Sequence, residues 1–472
     1  MRIAFNSTQK YIIFFLVIIL SAIVLFTGLN ASLRDWDESV YAQVAKESLD
    51  HSDWYNLYWN EKPFIDKPPL IFWLTRQVYK MSGVGEWQAR IASAVLGLMS
   101  VALVMLFGWH FISMGTGVLA ALIMLGTPHF VKISKMGQLD VPVGFFIAVS
   151  LVSFYIGKKN QLWFLLSGFF TGLAILTKWS VGFLSPIAQV VLVLLPGYRL
   201  IIKNKLWWLS FLVTLLVCAP WIIQQYLQYG DIFAAHFLGS KILESVNSEI
   251  AGHGGSVFYY VTKILRESRP WCFIFPISIA FGIVQSLKNN RMAAFLLVWF
   301  FVVFIVFSLA KTKLHWYIQP VYPPLALLTA MGIMHFVKKY KKLQIAVFAL
   351  ALIIIPAHTV FTRNYIKLDL NPEMKTLVES IKADLVKYDR LYVFRITCTP
   401  SLLFYTGKPV TLLHNQDDLK QVLDVSDTVF IVTDSSNSSI MREYLAVIGV
   451  PWIYNIDQIE QFFVFSIHKQ GG

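Results

Sequence analysis

From Tyr11 to Leu29 the chain runs through nineteen residues without one charged side chain. A helix rises about 1.5 Å per residue, so a run of this length reaches across the hydrocarbon core of a bilayer. Similar runs recur as far as position 361. Eleven read as spans: 11–29, 89–112, 115–131, 140–157, 161–177, 181–196, 206–228, 270–286, 292–310, 315–336 and 343–361. Backbone groups in hydrocarbon have no water to bond, and helices satisfy them within the segment. The sequence therefore predicts a polytopic α-helical membrane protein with about eleven transmembrane helices. Composition agrees: only 14% of the 472 residues are charged, where soluble domains carry about a quarter. The first run is expected to remain as an anchor. It is too long for a signal-peptide core, and no small-x-small cleavage site follows. Cys218, Cys272 and Cys398 lie far apart and define neither a disulfide framework nor a zinc spacing.

The formal net charge is +13. With the N-terminus in the cytoplasm, thirteen Lys and Arg and no acidic residue fall in the predicted cytoplasmic segments, and the fourteen acidic residues before position 362 all fall on the other side. Basic residues gather in short cytoplasmic loops, so the excess is an orientation signal and gives no reason to expect nucleic acid as a partner. Three outer segments are long: 30–88, 229–269 and 362–472. The sequence divides into a transmembrane domain, 1–361, and a soluble domain, 362–472. Within 30–88, Val40, Tyr41, Val44, Ala45, Ser48 and Leu49 recur at helical spacing, and "LIFWLTRQVYK" follows two prolines, so two interfacial helices are expected. In the tail, "RLYVFRI", "KPVTLL", "DTVFIVT" and "PWIYNI" read as strands, and "PEMKTLVESIKADLVK" and "SSIMREYLAVIG" as helices, which predicts a small extracytoplasmic α/β domain. It has no glycine-rich phosphate loop and no nucleophile elbow.

The ionisable residues gather on the outer face. Asp35 and Glu38, three apart, fit a helix capping pair; Asp37 is not needed for that, and a carboxylate at the membrane surface suits proton abstraction from an attacking hydroxyl. Asp66 and Lys67 in "NEKPFIDKPP" fit either a turn with a solvated charge or a cation- or sugar-binding acid beside a phosphate-binding base. Lys178, Arg266, Arg269, Lys311 and Lys313 stand at outer helix ends. Each fits a snorkelling side chain, but together they run against the charge bias and suit an anionic ligand. His253 in "AGHGGS" is an isolated loop histidine unless it meets Asp66, when the pair suits a divalent metal. The spans hold almost no ionisable group, which argues against an ion-coupled carrier but leaves open a flippase for a lipid-linked sugar.

Six stretches stand in an order that resembles a known family: "DESVYAQVAKESLDHSDW", "NEKPFIDKPPLIFWL", "GEWQARIASAVLGL", "GQLDVPVGFF", "GLAILTKWSVGFLSPI" and "FSLAKTKLHWYIQPVYPPLALL". The chain resembles the GT-C fold membrane glycosyltransferases, in the branch that holds the bacterial aminoarabinose transferases and the protein O-mannosyltransferases. The resemblance implies a donor sugar on a polyprenyl phosphate and a lipid A, glycan or protein acceptor at the periplasmic face of a bacterial inner membrane. It implies catalysis by Asp37 beside Glu38. Lys67, Lys178, Lys313 and Tyr317 match the lipid-phosphate site, with Arg269 and Lys311 expected near it. Asp35, Tyr41 and Asp140 are expected toward the acceptor or the sugar. A divalent metal (Zn, Mn or Mg) is implied at Asp66 and His253; the aminoarabinose branch has Glu where this chain has Asp66.

Overall fold

The structure is a computed structural model, and it describes residues 6–235, 237, 254–361, 372–396, 399–448 and 452–469. His253 and Cys398 lie outside the described residues. The chain forms two compact units: one of residues 1–29, 65–74 and 90–367, the other of residues 30–64, 75–89 and 368–472. Most of the outer loop 30–88 thus belongs to the unit that contains the tail.

The first unit is helical. Six described helices are long and apolar enough to cross a membrane: Ser7–Phe26, Glu86–Phe111, Asp140–Gly157, Lys205–Ala234, Arg291–Leu309 and His315–Val337. Met114–Leu125 and Pro128–Ser134 pass together as a pair bent by 72°. The break falls at Gly126-Thr127-Pro128, where proline has no N–H to continue the helix. Other expected spans fall on shorter apolar helices, Trp163–Thr177, Trp179–Leu194 and Trp271–Leu287, and on Lys341–Phe361.

Small and hydroxylated residues set the helix contacts. A Cβ on Gly168 would lie 2.1 Å from the Ser210 carbonyl oxygen, so helix Trp163–Thr177 meets helix Lys205–Ala234 at near backbone contact. Thr214 Oγ1 donates to the Gly168 carbonyl across the same contact, at 2.9 Å. Beside it, Ser150 Oγ lies 3.1 Å from Ser167 Oγ, 2.8 Å from Thr171 Oγ1 and 2.7 Å from Ser185 Oγ. Gln189 Nε2 donates to Ser167 and Ser185, and Trp207 Nε1 donates to Gln189 Oε1. These groups form a polar cluster between apolar helices. In hydrocarbon, where apolar surfaces have no water to escape, such bonds and close packing take over from the hydrophobic effect.

The second unit has two sheets. A short hairpin pairs β1 (Tyr58–Trp59) with β2 (Lys62–Pro63). The larger sheet comprises β3 (Leu391–Phe394), β4 (Val410–Leu413), β5 (Thr428–Asp434), β6 (Trp452–Ile459) and β7 (Phe462–Lys469), in the order β4-β3-β5-β7-β6. The first three strands run parallel, and β7 and β6 close the sheet as an antiparallel hairpin. Alternation along a strand divides its side chains between faces. Phe430 and Val432 pack with Met374, Leu377 and Ile381, while Val429 and Ile431 pack with Leu419, Met441 and Leu445. The expected strands and helices of the tail are present. The sequence reading missed β7 and the helices Thr399–Thr406 and Gln416–Val425.

The outer-loop helix appears as Asp37–Glu47, but it is enclosed by protein: Glu38, Ser39 and all residues from Tyr41 to Ala45 are buried. Ala42 and Ala45 pack with Leu33, Tyr79, Ala89 and Phe404. Lys46 Nζ donates to the Phe404 carbonyl at 2.7 Å, and burial pushes its pKa down. Asn60 adds to the edge of β4, donating to the Val410 carbonyl at 2.7 Å and accepting from the Val410 N–H at 2.9 Å. Arg390 reaches Glu61 at 2.6 Å. The second expected helix appears as Leu70–Ser82.

Candidate functional site

In the second unit, the three acids of the opening loop have separate environments. Asp35 Oδ1 accepts the Ser401 N–H at 3.1 Å, in the first turn of helix Thr399–Thr406, so it caps a helix 366 residues away in sequence. Glu38 is 2% exposed, and its Oε2 accepts the Arg34 N–H at 2.9 Å. The capping pair expected of Asp35 and Glu38 is therefore absent. The residue before helix Asp37–Glu47 is Trp36, at φ 68° and ψ −129° with no side-chain cap. A bulky residue in that region is strained. It presents Asp37 as the first helical residue, at the positive end of the helix dipole. Among the described residues the Asp37 carboxylate makes no hydrogen bond or ion pair, and it is partly exposed. Tyr41 is buried, 8% exposed, in the second turn of the same helix.

The first unit holds the cations. Lys178 breaks the helical path between Trp163–Thr177 and Trp179–Gly182, with φ −153° and ψ 92°. Its Nζ lies 2.7 Å from Asp140 Oδ1 and 4.2 Å from the centre of the Tyr317 ring. Asp140 is 4% exposed and begins helix Asp140–Gly157. A carboxylate at a helix start, an ammonium at a helix break and a phenol ring inside the 3-10 segment His315–Val321 thus meet. Lys313 is also buried, at 4% exposed. Its ammonium donates to the carbonyls of Ser308 at 2.8 Å, Phe307 at 3.4 Å and Ala310, at the C-terminal end of helix Arg291–Leu309. Those carbonyls have no partner within the helix, and a cation there offsets the negative end of the dipole. The expected phosphate ligand thus uses its protons to cap a helix in this state. Asp66 and Lys67 are partly buried, and Arg269 and Lys311 are exposed.

The sequence reading missed one cluster in the same unit. His129, Glu267 and His315 come together from helix Pro128–Ser134, the last residue of helix Tyr259–Glu267, and the 3-10 segment His315–Val321. His129 Nε2 lies 3.0 Å from His315 Nδ1 and 3.2 Å from Glu267 Oε2; His315 Nδ1 lies 3.8 Å from that oxygen. The other nitrogen of His129, Nδ1, is 2.6 Å from the Tyr322 hydroxyl. No local spacing announces this group, since its members are far apart in the chain.

Comparison with known proteins locates this arrangement. Solved structures of ArnT from Cupriavidus metallidurans match along 98% of both chains, with a TM-score of 0.81 for the apo state and 0.76 for the state bound to undecaprenyl phosphate. The chain has the GT-C fold. The sequence identity to the two is 18% and 19%, so the likeness establishes the GT-C fold and leaves chemistry to other observations. Residues 66–224 match the family described as dolichyl-phosphate-mannose-protein mannosyltransferase. An uncharacterized protein of Aquifex aeolicus is 30% identical over 324 residues, covering 67% of this chain and 63% of that protein. An undecaprenyl phosphate-alpha-4-amino-4-deoxy-L-arabinose arabinosyl transferase of Aeromonas hydrophila is 27% identical over 315 residues, covering 65% of this chain and 57% of the relative. The chain therefore spans less than two thirds of the length of these curated relatives.

Proposed function

We propose that the protein is an inverting glycosyltransferase that moves a sugar from a polyprenyl phosphate to an acceptor hydroxyl or phosphate outside the cytoplasm. The observation that carries this reading is the match along 98% of both chains to a GT-C protein solved with undecaprenyl phosphate bound. Relatives named as arabinosyl transferases support it, and so does the match to the mannosyltransferase family. The finer topology is the one read from the apolar runs and from charge: eleven crossings, a cytoplasmic N-terminus, and the acids and the 362–472 domain on the periplasmic side of a bacterial inner membrane.

The chemistry follows from the two bonds exchanged. The acceptor oxygen attacks the anomeric carbon, the carbon–oxygen bond to phosphate breaks, and its electron pair leaves with the polyprenyl phosphate. One displacement inverts the anomeric centre. Charge grows on the departing phosphate, and a cation aimed at it favours the transition state over the ground state. Lys178 with Tyr317, and Lys67, are the proposed phosphate partners, with Arg269 and Lys311 at the exposed rim. Lys313 holds the segment that carries Tyr317 and turns to the phosphate only by releasing its carbonyls. Asp37 is the proposed base: it is partly exposed and without a partner among the described residues. Glu38 is buried and bonded to backbone, so it supports the helix that carries Asp37. Asp35 caps a helix, which accounts for its carboxylate without a sugar.

The test uses purified full-length protein in nanodiscs with a labelled polyprenyl-phosphate sugar and outer-leaflet acceptors, read by mass spectrometry. Transfer with inversion is the expected result. Movement of the donor between leaflets with no transfer to lipid, glycan or protein acceptors would refute the enzyme reading in favour of a flippase.

A further inference from the structure

We propose that His129, His315 and Glu267 bind one divalent transition-metal ion, with zinc the best match to the ligand chemistry. The inference is independent of the transfer reaction. The three facing atoms are separated by 3.0, 3.2 and 3.8 Å. A point equidistant from atoms so spaced lies about 2.0 Å from each, which is the bond length of zinc to imidazole nitrogen or carboxylate oxygen. A tetrahedral ion just off the plane of the three atoms would fit without rearrangement and keep a fourth position open.

The surroundings support a metal. Two imidazoles and one carboxylate form a borderline-soft donor set of the kind zinc takes. All three are withdrawn from solvent, with side-chain exposures of 1% for His129, 9% for Glu267 and 19% for His315. The Tyr322 hydroxyl, at 2.6 Å from His129 Nδ1, can accept that nitrogen's proton and leave the Nε2 lone pair toward the ion. This is the outer-shell bond that metal-ligating histidines generally have. Tyr322 is itself held by Ser268 Oγ, at 3.4 Å. Lys263 Nζ binds Glu267 Oε1 at 3.1 Å, so the carboxylate gives one oxygen to the ammonium and turns the other to the histidines. The ion would tie the segment bearing Lys313 and Tyr317 to two helices from elsewhere in the chain. The site differs from the Asp66 and His253 pair that the sequence suggested.

Without a metal, the same three groups form a hydrogen-bonded relay with a proton between the imidazoles. Purified full-length protein, stripped with EDTA and titrated with Co²⁺, separates the two. The metal site gives about one cobalt per chain, with the intense visible absorption of a four-coordinate ion. His315→Asn and Glu267→Gln should abolish that band, Tyr322→Phe should weaken binding by about 10- to 100-fold, and Asp66→Asn should leave it unchanged. Size-exclusion elution and helical circular dichroism check that each variant is folded. A folded wild type that takes up no stoichiometric cobalt overturns the proposal, as does a band lost in Asp66→Asn and kept in His315→Asn. These readouts contain no transfer step, so they fail or succeed separately from the glycosyltransferase reading.

Discussion

The pair of Lys178 and Asp140 presents a conflict that a single substitution can expose. Their charged atoms are 2.7 Å apart, and the side chains are 12% and 5% exposed. In such a pair each charge depends on the other, and removing one partner typically costs about 3–5 kcal/mol because the survivor stays buried and unpaired. Asp140→Asn should therefore lower the denaturation midpoint sharply. Yet if Lys178 receives the donor phosphate, Asp140 competes with that phosphate for the same ammonium. The same variant should then bind polyprenyl phosphate more tightly than the wild type, and the bound lipid should restore part of the lost stability through binding to the folded state alone. Lys178→Met should lose both stability and lipid binding. The assay is equilibrium denaturation in mixed micelles with and without polyprenyl phosphate, together with a direct lipid-binding isotherm. If Asp140→Asn weakens lipid binding as much as Lys178→Met does, the counter-ion argument fails and Asp140 must touch the donor in its own right.

Three further outcomes follow from single contacts. Asp37→Asn should leave the fold intact and lower kcat at saturating donor by about 10²- to 10⁴-fold, the usual contribution of a general base; full activity would remove Asp37 from that role. Asp35→Ala should destabilise helix Thr399–Thr406 by about 0.5–2 kcal/mol through loss of its cap, measured by hydrogen exchange in that helix, with kcat kept within a few-fold. Gly168→Leu forces apart two helices at backbone contact and should abolish folded protein in detergent, whereas Thr214→Val, which removes only the hydroxyl shared between the Gly168 and Ser210 carbonyls, should cost about 0.6 kcal/mol.

The elements were legible wherever their signal is local. Apolar runs located the long helices, and alternation located four strands of the tail. β7 was missed because its hairpin turns at Glu460 and Gln461, with Glu460 at φ 55°, and carries neither the glycine nor the asparagine that normally marks such a turn. The polar cluster around Ser150 was invisible for a related reason. Serine and threonine in an apolar helix look alike whether they bond their own backbone or a neighbouring helix, and only packing tells them apart.

The site residues divide along the same line. Lys178 and Asp140 are 38 positions apart; the sequence marked Lys178 as a charge at an outer helix end and Asp140 only through the family resemblance, without linking them. Asp35 shows how a local motif misleads: its spacing to Glu38 matches a capping box, yet its carboxylate caps a helix that begins at Thr399, while Glu38 bonds the Arg34 N–H. Both acids end up as helix supports, by routes the spacing does not encode. What the motif leaves over is Asp37, the one acid of the three without a structural task among the described residues. A strained Trp36 backbone just before it is hard to explain by stability, since strain of this kind costs of order 1–3 kcal/mol and persists where the surroundings demand it. Relaxing that backbone with Trp36→Gly should therefore stabilise the unit and lower turnover if the strain serves to hold Asp37 in place. A variant that is both more stable and fully active would mean that the strain serves packing alone.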